Sequence, residues 1–319
     1  MAKQYTGDEL VKLVHDSAMI PDVGAKGFTE EDILGHLTYC LHTDILPEIM
    51  KFKEEFFLVR ERLSITNAKT RIPSRAVGNR VRDVFLRSGG NSYPLVHMDR
   101  GELSCIGDGS GDPSGFYMEG NHIVVHPESS TPSGELDVTY YFSPGDIQLL
   151  ANCRKVDSVS DGKVFWDDVQ DKPSGWDGNQ KYDIHAGDSG GEIHAWDLEP
   201  TDTGTSFIKF STAEIDGSRF GRFPVAKGDY LCLAGEAALP GIPKEAQPTL
   251  AQSAICRLLL ALGDHENFNV QVQKLNKMIS DFERLFNARV EGRPKIINNR
   301  RGVFSGRGRR RGANMFGGF

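Results

Sequence analysis

Residues 136–142 read LDVTYYF, and large apolar side chains occupy every second position of this segment. Aspartate and threonine fill two of the three positions between them. Successive side chains of a β-strand point to opposite faces, so a period of two predicts a half-buried strand. The segment therefore places a β-sheet in the middle of the chain.

Other strand-like segments surround this one. Residues 116–118 and 123–125 flank EGNH at 119–122, whose glycine and asparagine suit a hairpin turn. Glycine, aspartate, serine and proline separate the remaining segments at short intervals. We therefore predict that residues 67–235 form an antiparallel β-rich domain. Its further strands are predicted at 80–86, 155–159, 163–166, 182–186, 192–198, 206–210 and 230–233.

A helical period precedes this stretch. TGDE at 6–9 and TEED at 29–32 resemble capping boxes, and each comes before apolar residues spaced by three and four. After Pro47, which restarts or kinks the helix, Ile49, Phe52, Phe56 and Val59 continue this spacing. We therefore predict helices over residues 1–66, with the last apolar stripe reaching about residue 63.

The helical period returns after residue 235. Prolines at 240, 243 and 248 mark an extended approach and a helix start, and Gly263-Asp264 separates two helices within 236–291. Each helix is apolar on one face, so these helices are expected to pack together and on the N-terminal ones. The predicted fold class is α+β. It is a helical bundle of N- and C-terminal helices with an inserted antiparallel β-rich domain and a basic tail, disordered or docked on a partner.

The charge of the chain is unevenly distributed. Residues 292–319 contain eight bases and no acids, so the overall charge of −7 leaves −15 for residues 1–291. A segment with so few apolar residues cannot form a core and is predicted to be disordered alone. An acidic body with a basic tail suggests that the tail seeks a polyanion or an acidic protein surface.

Three interpretations of this tail remain open. GRGRRRG at 306–312 resembles Arg/Gly segments that bind nucleic acid through charge. The apolar residues interspersed among the bases favour docking in a groove of a partner protein, where they would fill apolar pockets. The third interpretation is a solubilising end without a partner.

The sequence gives little indication of catalysis. GDSGG at 187–191 resembles the nucleophile loop of chymotrypsin-like serine proteases, but the histidine setting of those enzymes is missing upstream. The flanking segments are strand-like, so a hairpin turn is the favoured interpretation, and no catalytic residue is predicted.

Metal and cofactor sites are not predicted either. His122 and His126 lie four apart on a strand, which separates them by about 13 Å. Four aspartates, Asp167, Asp168, Asp171 and Asp177, lack the spacing of an EF-hand. The five cysteines are scattered and odd in number, so we expect reduced thiols. No apolar run is long enough to span a bilayer, which predicts a soluble protein without a membrane partner, made in the cytoplasm.

Several segments in order resemble the head-to-tail adaptor (connector) proteins of tailed bacteriophages, particularly the podovirus-like ones. The resemblance covers most of residues 28–300 and is weaker over 160–225. Its segments are EEFF at 54–57, RIPSRAVGNRVRDV at 71–84, FYMEGN at 116–121, GDYLCLAGE at 228–236, residues 239–264, and RVEGRPK at 289–295.

This resemblance implies a structural, non-enzymatic subunit of the virion neck, made in the host cytoplasm. The family forms homo-oligomeric rings, commonly of twelve copies, beneath the portal protein. The ring receives the tail nozzle or tail tube protein below, and double-stranded DNA passes through it. A nucleic-acid-binding accessory protein acting through the Arg/Gly tail is the alternative. The expected portal-binding residues are Arg293, Lys295, Ile296, Ile297, Arg300, Arg301, Val303, Phe304, Arg307, Arg309, Arg310, Arg311 and Phe316.

Overall fold

Two capped helices begin the fold. Thr29 and Asp32 form the predicted capping box, in which each residue's side chain accepts the other's backbone N–H, at 3.2 and 2.9 Å. Thr6 and Glu9 exchange the same two bonds at 3.4 and 3.3 Å. These bonds satisfy backbone donors that a helix start leaves unpaired, which explains why both helices begin where the sequence predicts.

The computed structural model describes residues 4–18, 27–99, 101, 112–128, 133–167, 172–173, 175–187, 192–217 and 224–286. The helices are α1 (Gly7–Ala18), α2 (Glu30–Cys40), α3 (Leu46–Lys53), α4 (Thr212–Ile215), α5 (Gln247–Leu262) and α6 (His265–Phe286). A π-helical turn at Leu41–Ile45 joins α2 to α3. Short 3₁₀ turns lie at Glu54–Phe57, Leu150–Asn152 and Lys244–Ala246.

The strands are β1 (Leu58–Thr66), β2 (Lys69–Arg71), β3 (Ala76–Ser88), β4 (Asn91–His97), β5 (Gly115–Glu119), β6 (His122–His126), β7 (Ser133–Phe142), β8 (Asp146–Ile147), β9 (Arg154–Ser160), β10 (Lys163–Trp166), β11 (Tyr182–His185), β12 (Ile193–Leu198), β13 (Asp202–Thr203), β14 (Phe207–Lys209), β15 (Tyr230–Leu233) and β16 (Glu236–Ala237).

The first seven strands close into a barrel in the order β1-β2-β6-β5-β4-β3-β7. Antiparallel pairing of β1 with β7 runs from Leu58 opposite Tyr141 to Thr66 opposite Ser133 and completes the closure. Only the β4–β5 pair is parallel among the barrel pairs of the described chain. Closure leaves no free edge, and the alternating apolar side chains of β7 point into the barrel core.

A second seven-stranded sheet has the order β12-β11-β15-β9-β10-β14-β13, and β8 pairs with β16 in parallel. The barrel and this sheet share one large apolar core, in which the rings of Phe142 and Trp196 lie 5.3 Å apart. The helices have a separate core, where α5 packs against α1 and α2.

The predicted fold class is wrong. The chain is mostly β, with a closed barrel, and is not a helical bundle with an inserted β domain. The error begins at Leu58, where the helical stripe was expected to continue to about residue 63. Lys53 leaves the helical conformation, a single 3₁₀ turn follows, and β1 begins. Phe57, Val59 and Glu61 are buried at every second position, so the period of two already starts there.

Several individual elements are confirmed. The strands at 163–166 and 230–233 have the predicted bounds, and the EGNH turn joins β5 to β6. Gly263 ends α5 in the left-handed conformation, with φ of 77°. The Asp264 carboxylate then accepts the backbone N–H of Asn267 at 3.1 Å and caps α6. The predicted basic tail lies outside the described residues.

Candidate interaction surface

The expected portal-binding residues lie between Arg293 and Phe316, and all of them are outside the described residues. The last described element before them is α6. Among its described residues only Phe282 is fully buried, whereas the side chains of Val270 and Leu285 are 64% and 71% exposed. A Gln252–Gln271 hydrogen bond of 2.9 Å holds α6 to α5. The helix that leads towards the tail therefore exposes apolar groups along its own length.

A second cluster, partly exposed and here called the Tyr39–Arg257 patch, lies on α2 and α5. It consists of His36, Tyr39, Arg257 and Leu260. The Arg257 guanidinium carbon lies 3.7 Å from the centroid of the Tyr39 ring, a close cation–π contact. Tyr39 and Leu260 remain 48% and 52% exposed.

Arg257 is the cation of the Tyr39–Arg257 patch. Arg257 Nε is buried and has no hydrogen-bond partner within the described part of the chain. Burial lowers the pKa of His36, and the positive charge of Arg257 lowers it further, although Asp32 opposes both effects. His36 is therefore held towards its neutral form, and Arg257 supplies the charge of the patch.

The patch combines two exposed side chains, Tyr39 and Leu260, with the half-buried Arg257. Tyrosine and arginine are enriched among residues whose truncation weakens binding strongly, provided that the contact excludes water. The stacking on Tyr39 also reduces the freedom that Arg257 would lose on binding. The patch therefore presents an aromatic ring and a preorganised cation near the surface.

A buried ion pair fixes the junction between the barrel and the second sheet. Arg75, which precedes β3, pairs with Asp183 of β11, whose side chain is fully buried. The same carboxylate accepts the backbone N–H groups of Asp197 at 2.9 Å and Gly235 at 3.0 Å. A second buried carboxylate, Glu61, accepts hydrogen bonds from two aromatic side chains (the Tyr140 hydroxyl at 2.9 Å and the Trp196 indole at 3.2 Å). The donors named above all reach one of these two carboxylates, so Asp183 and Glu61 both hold the fold together.

The GDSGG segment connects two paired strands. β11 and β12 are antiparallel, and the Ala186 N–H donates to the Glu192 carbonyl at 2.8 Å, which is consistent with a hairpin. Ser189 itself lies outside the described residues. Asp229 accepts the N–H of Gly187 at 3.2 Å, and its other oxygen lies 3.5 Å from His194 Nδ1. His194 Nδ1 makes no hydrogen bond within the described part of the chain, and Asp229 Oδ2 accepts the backbone N–H of Ala226 at 2.8 Å, so Asp229 stabilises this turn and does not orient a catalytic histidine.

The histidines and aspartates that were considered as metal ligands do not come together. His122 and His126 occupy the two ends of β6, as predicted. Asp177 accepts the backbone N–H groups of Asn179 and Gln180 and so forms a turn, whereas Asp168 and Asp171 lie outside the described residues. Within the described ranges, no cluster of three or more His, Cys, Asp or Glu side chains could hold a metal ion.

The Tyr39–Arg257 patch was missed by sequence reasoning because its members are far apart in the chain. Tyr39 lies on α2 and Arg257 on α5, and only the packing of these helices brings them together. The sequence did contain a weak indication that α6 exposes apolar residues, since Val270 and Leu285 fall outside the apolar stripe of that helix.

None of the helices in the described part of the chain is both long and apolar enough to cross a membrane. No protein-family profile matches the chain, and no curated protein matches it in sequence.

Proposed function

We propose that this protein is a structural subunit of a bacteriophage neck, an adaptor that forms a ring beneath the portal, lines the DNA exit channel and attaches the tail. The observation that carries the proposal is the separation of charge between residues 1–291, at −15, and residues 292–319, with eight bases and no acids. The ordered resemblance of residues 28–300 to phage adaptors supplies the identity of the partners.

The charge separation suits both the passage of DNA through the ring and the attachment of the ring to the portal. An acidic body repels DNA phosphates, so a channel built from it would let DNA slide without gripping it. A tail that orders only on its partner would attach the adaptor to a completed portal and not to free subunits. Its arginines would pair with portal carboxylates, and its apolar residues would fill pockets between them.

The ring contact is proposed to include the Tyr39–Arg257 patch, with a second copy of this chain as the occupant. The argument is charge complementarity, because Arg257 is a cation and a second copy carries the same net charge of −15 over its residues 1–291. Replacing Arg257 with glutamate should then reduce assembly into rings, as measured by analytical ultracentrifugation. Replacing exposed Lys274 on α6 with glutamate makes the same charge change outside the patch and is the control. Equal assembly of both variants would exclude the patch from the contact.

Portal binding is tested by mixing the full chain with the portal ring of the same phage and imaging the complex by electron microscopy. Stacked rings are expected, and a monomer without portal affinity would refute the proposal. Ile297, Phe304 and Phe316 are replaced with serine in a variant that keeps all eight bases. This variant should lose portal binding but retain any affinity for DNA.

The alternative function is a nucleic-acid-binding accessory protein, for which the tail would be needed to bind DNA but not to assemble the virion. Deleting residues 292–319 would then abolish DNA affinity, measured by mobility shift at several salt concentrations, and leave virions intact. A serine hydrolase at Ser189 is the third candidate, and it rests on the GDSGG segment of the sequence alone. A measured hydrolysis that Ser189→Ala abolishes would establish it.

A further inference from the structure

Two buried cysteines face each other in the second sheet. The Sγ atoms of Cys153 and Cys232 lie 3.0 Å apart. Both side chains are buried, and the apolar residues Ala238 and Leu239 pack around them. The two thiols are therefore in contact and shielded from solvent.

The strand register explains this approach. Residues 154–155 of β9 pair with residues 230–231 of β15 in antiparallel order, with Arg154 opposite Leu231. The next step of this register places Cys153 directly opposite Cys232. Cys153 has an extended backbone, with φ of −115° and ψ of 164°, so it continues the line of β9.

The position within the ladder also favours a covalent bond. Val156 donates its N–H to the Asp229 carbonyl at 2.8 Å, and its own carbonyl accepts the N–H of Gly228 at 2.8 Å, so the last regular ladder bond towards β15 lies at Val156 and Asp229. Hydrogen-bonded and non-hydrogen-bonded pairs alternate along an antiparallel ladder, so Cys153 and Cys232, three pairs away, form a non-hydrogen-bonded pair. Such pairs have Cα atoms about 4.5 Å apart, within the range of about 4.4–6.8 Å that disulfides span.

We propose that Cys153 and Cys232 are a disulfide-forming pair that closes when the protein meets a thiol oxidant. The two thiols lose two protons and two electrons as the S–S bond forms. An azo oxidant such as diamide accepts both and is reduced to the hydrazine. The sulfur atoms must move together by about 1 Å to reach bonding distance.

Burial makes this reaction slow in the native state. It raises the pKa of the Cys232 thiol well above its ordinary value, and the neighbouring Cys153 raises it further. The thiolate is the reactive form, so oxidation requires local opening of the second sheet at the start of β9. Mild urea should therefore accelerate the closure.

Cys40 and Cys256 provide a matched control within the same protein. Both are buried, and burial raises the pKa of Cys40 to about 12. Ser253 is the hydrogen-bonding neighbour of Cys40, and Gln252 is that of Cys256, so these thiols face polar groups. The same oxidant should leave both of them alkylatable after denaturation.

The test treats the full chain with diamide in low urea, quenches with acid, denatures the protein and alkylates the remaining thiols. The Cys105→Ser background removes a cysteine that lies outside the described residues. Peptide mapping should then find Cys153 linked to Cys232, and intact mass should show two alkylated cysteines instead of four. The closed bond encloses a loop between residues 79 positions apart, so oxidation should raise the midpoint of thermal unfolding.

Three outcomes would overturn the proposal, two of them in the alkylation experiment. One is full alkylation of all four cysteines after prolonged oxidation in low urea. The other is a link between any other pair at equal yield. In the Cys232→Ala variant, oxidation should no longer shift the unfolding midpoint, and a shift that persists would also contradict the proposal. These outcomes are independent of portal binding.

Discussion

Replacing Asp183 with alanine should destabilise this protein more than any surface substitution. The Asp183 carboxylate is fully buried between the barrel and the second sheet, where it pairs with Arg75. It also accepts two backbone N–H groups, those of Asp197 and Gly235. Alanine removes all three interactions and leaves the donors without this acceptor.

The expected loss of unfolding free energy follows from the three donors that lose their acceptor. Breaking a buried ion pair by removing one partner costs about 3–5 kcal/mol, because the remaining charge stays buried. Each buried N–H that loses its acceptor costs about 1–3 kcal/mol more. The three share one carboxylate and are not additive, and Asp197 Oδ1 at 3.8 Å partly compensates Arg75. We therefore expect a loss of about 5 kcal/mol, comparable to the whole stability of many domains.

Urea unfolding followed by tryptophan fluorescence measures this loss, since Trp196 lies in the core at the junction. The control is Asp157→Ala, which breaks an exposed ion pair with Lys227 of 2.6 Å. Water and salt screen exposed ion pairs, which therefore contribute little to stability, so this variant should unfold nearly as the wild type does. Equal unfolding midpoints for the two variants would refute the claim that Asp183 stabilises the junction between the barrel and the second sheet.

Two further predictions concern packing and pH. Gly187→Ala should cost about 1–3 kcal/mol in urea unfolding, because its Cβ would lie 2.0 Å from the Gly228 carbonyl oxygen, whereas Gly178→Ala, with open space around it, should not. Burial raises the pKa of Tyr182 to about 12, and Asp177 contributes to the shift. The unfolded chain ionises this phenol at about pH 10, so its contribution is complete below pH 10 and is lost between about pH 10 and 12. Tyr182→Phe should flatten the pH dependence of the unfolding free energy in that window, and an unchanged slope would exclude Tyr182 as its source.

Sequence patterns predicted many strands but not the closure of the barrel. Residues 163–166 and 230–233 were predicted to the residue because their apolar side chains cluster between clear turn signals. β4 was missed, since only Leu95 is buried among its seven residues and Pro94 interrupts it. Closure depends on pairing β1 with β7, which are about 75 residues apart, and no local pattern encodes such a contact.

The first barrel strand was misassigned for a different physical reason. Ile49, Phe52, Phe56 and Val59 satisfy a helical spacing, while Phe57, Val59 and Glu61 satisfy a strand spacing. Both periods fit the same short segment, so local spacing alone could not separate them. Glu61 increased the ambiguity, because a glutamate in a sequence normally predicts a solvent-facing position, whereas Glu61 is buried. Its two aromatic donors, Tyr140 and Trp196, come from β7 and β12 and are invisible in the local sequence.

The buried acids also account for how the barrel is joined to the second sheet. All four residues of β11 are buried, including Asp183 and His185, so this strand offers no polar face to solvent. The hydrophobic effect is non-directional, so burial of apolar surface alone would specify the placement of one sheet over the other less strictly than a buried ion pair does. Asp183 accepts donors from three separate segments, and a shift in any direction would leave a buried charge unpaired. We therefore infer that the ion pair selects one arrangement among several that the apolar core would allow.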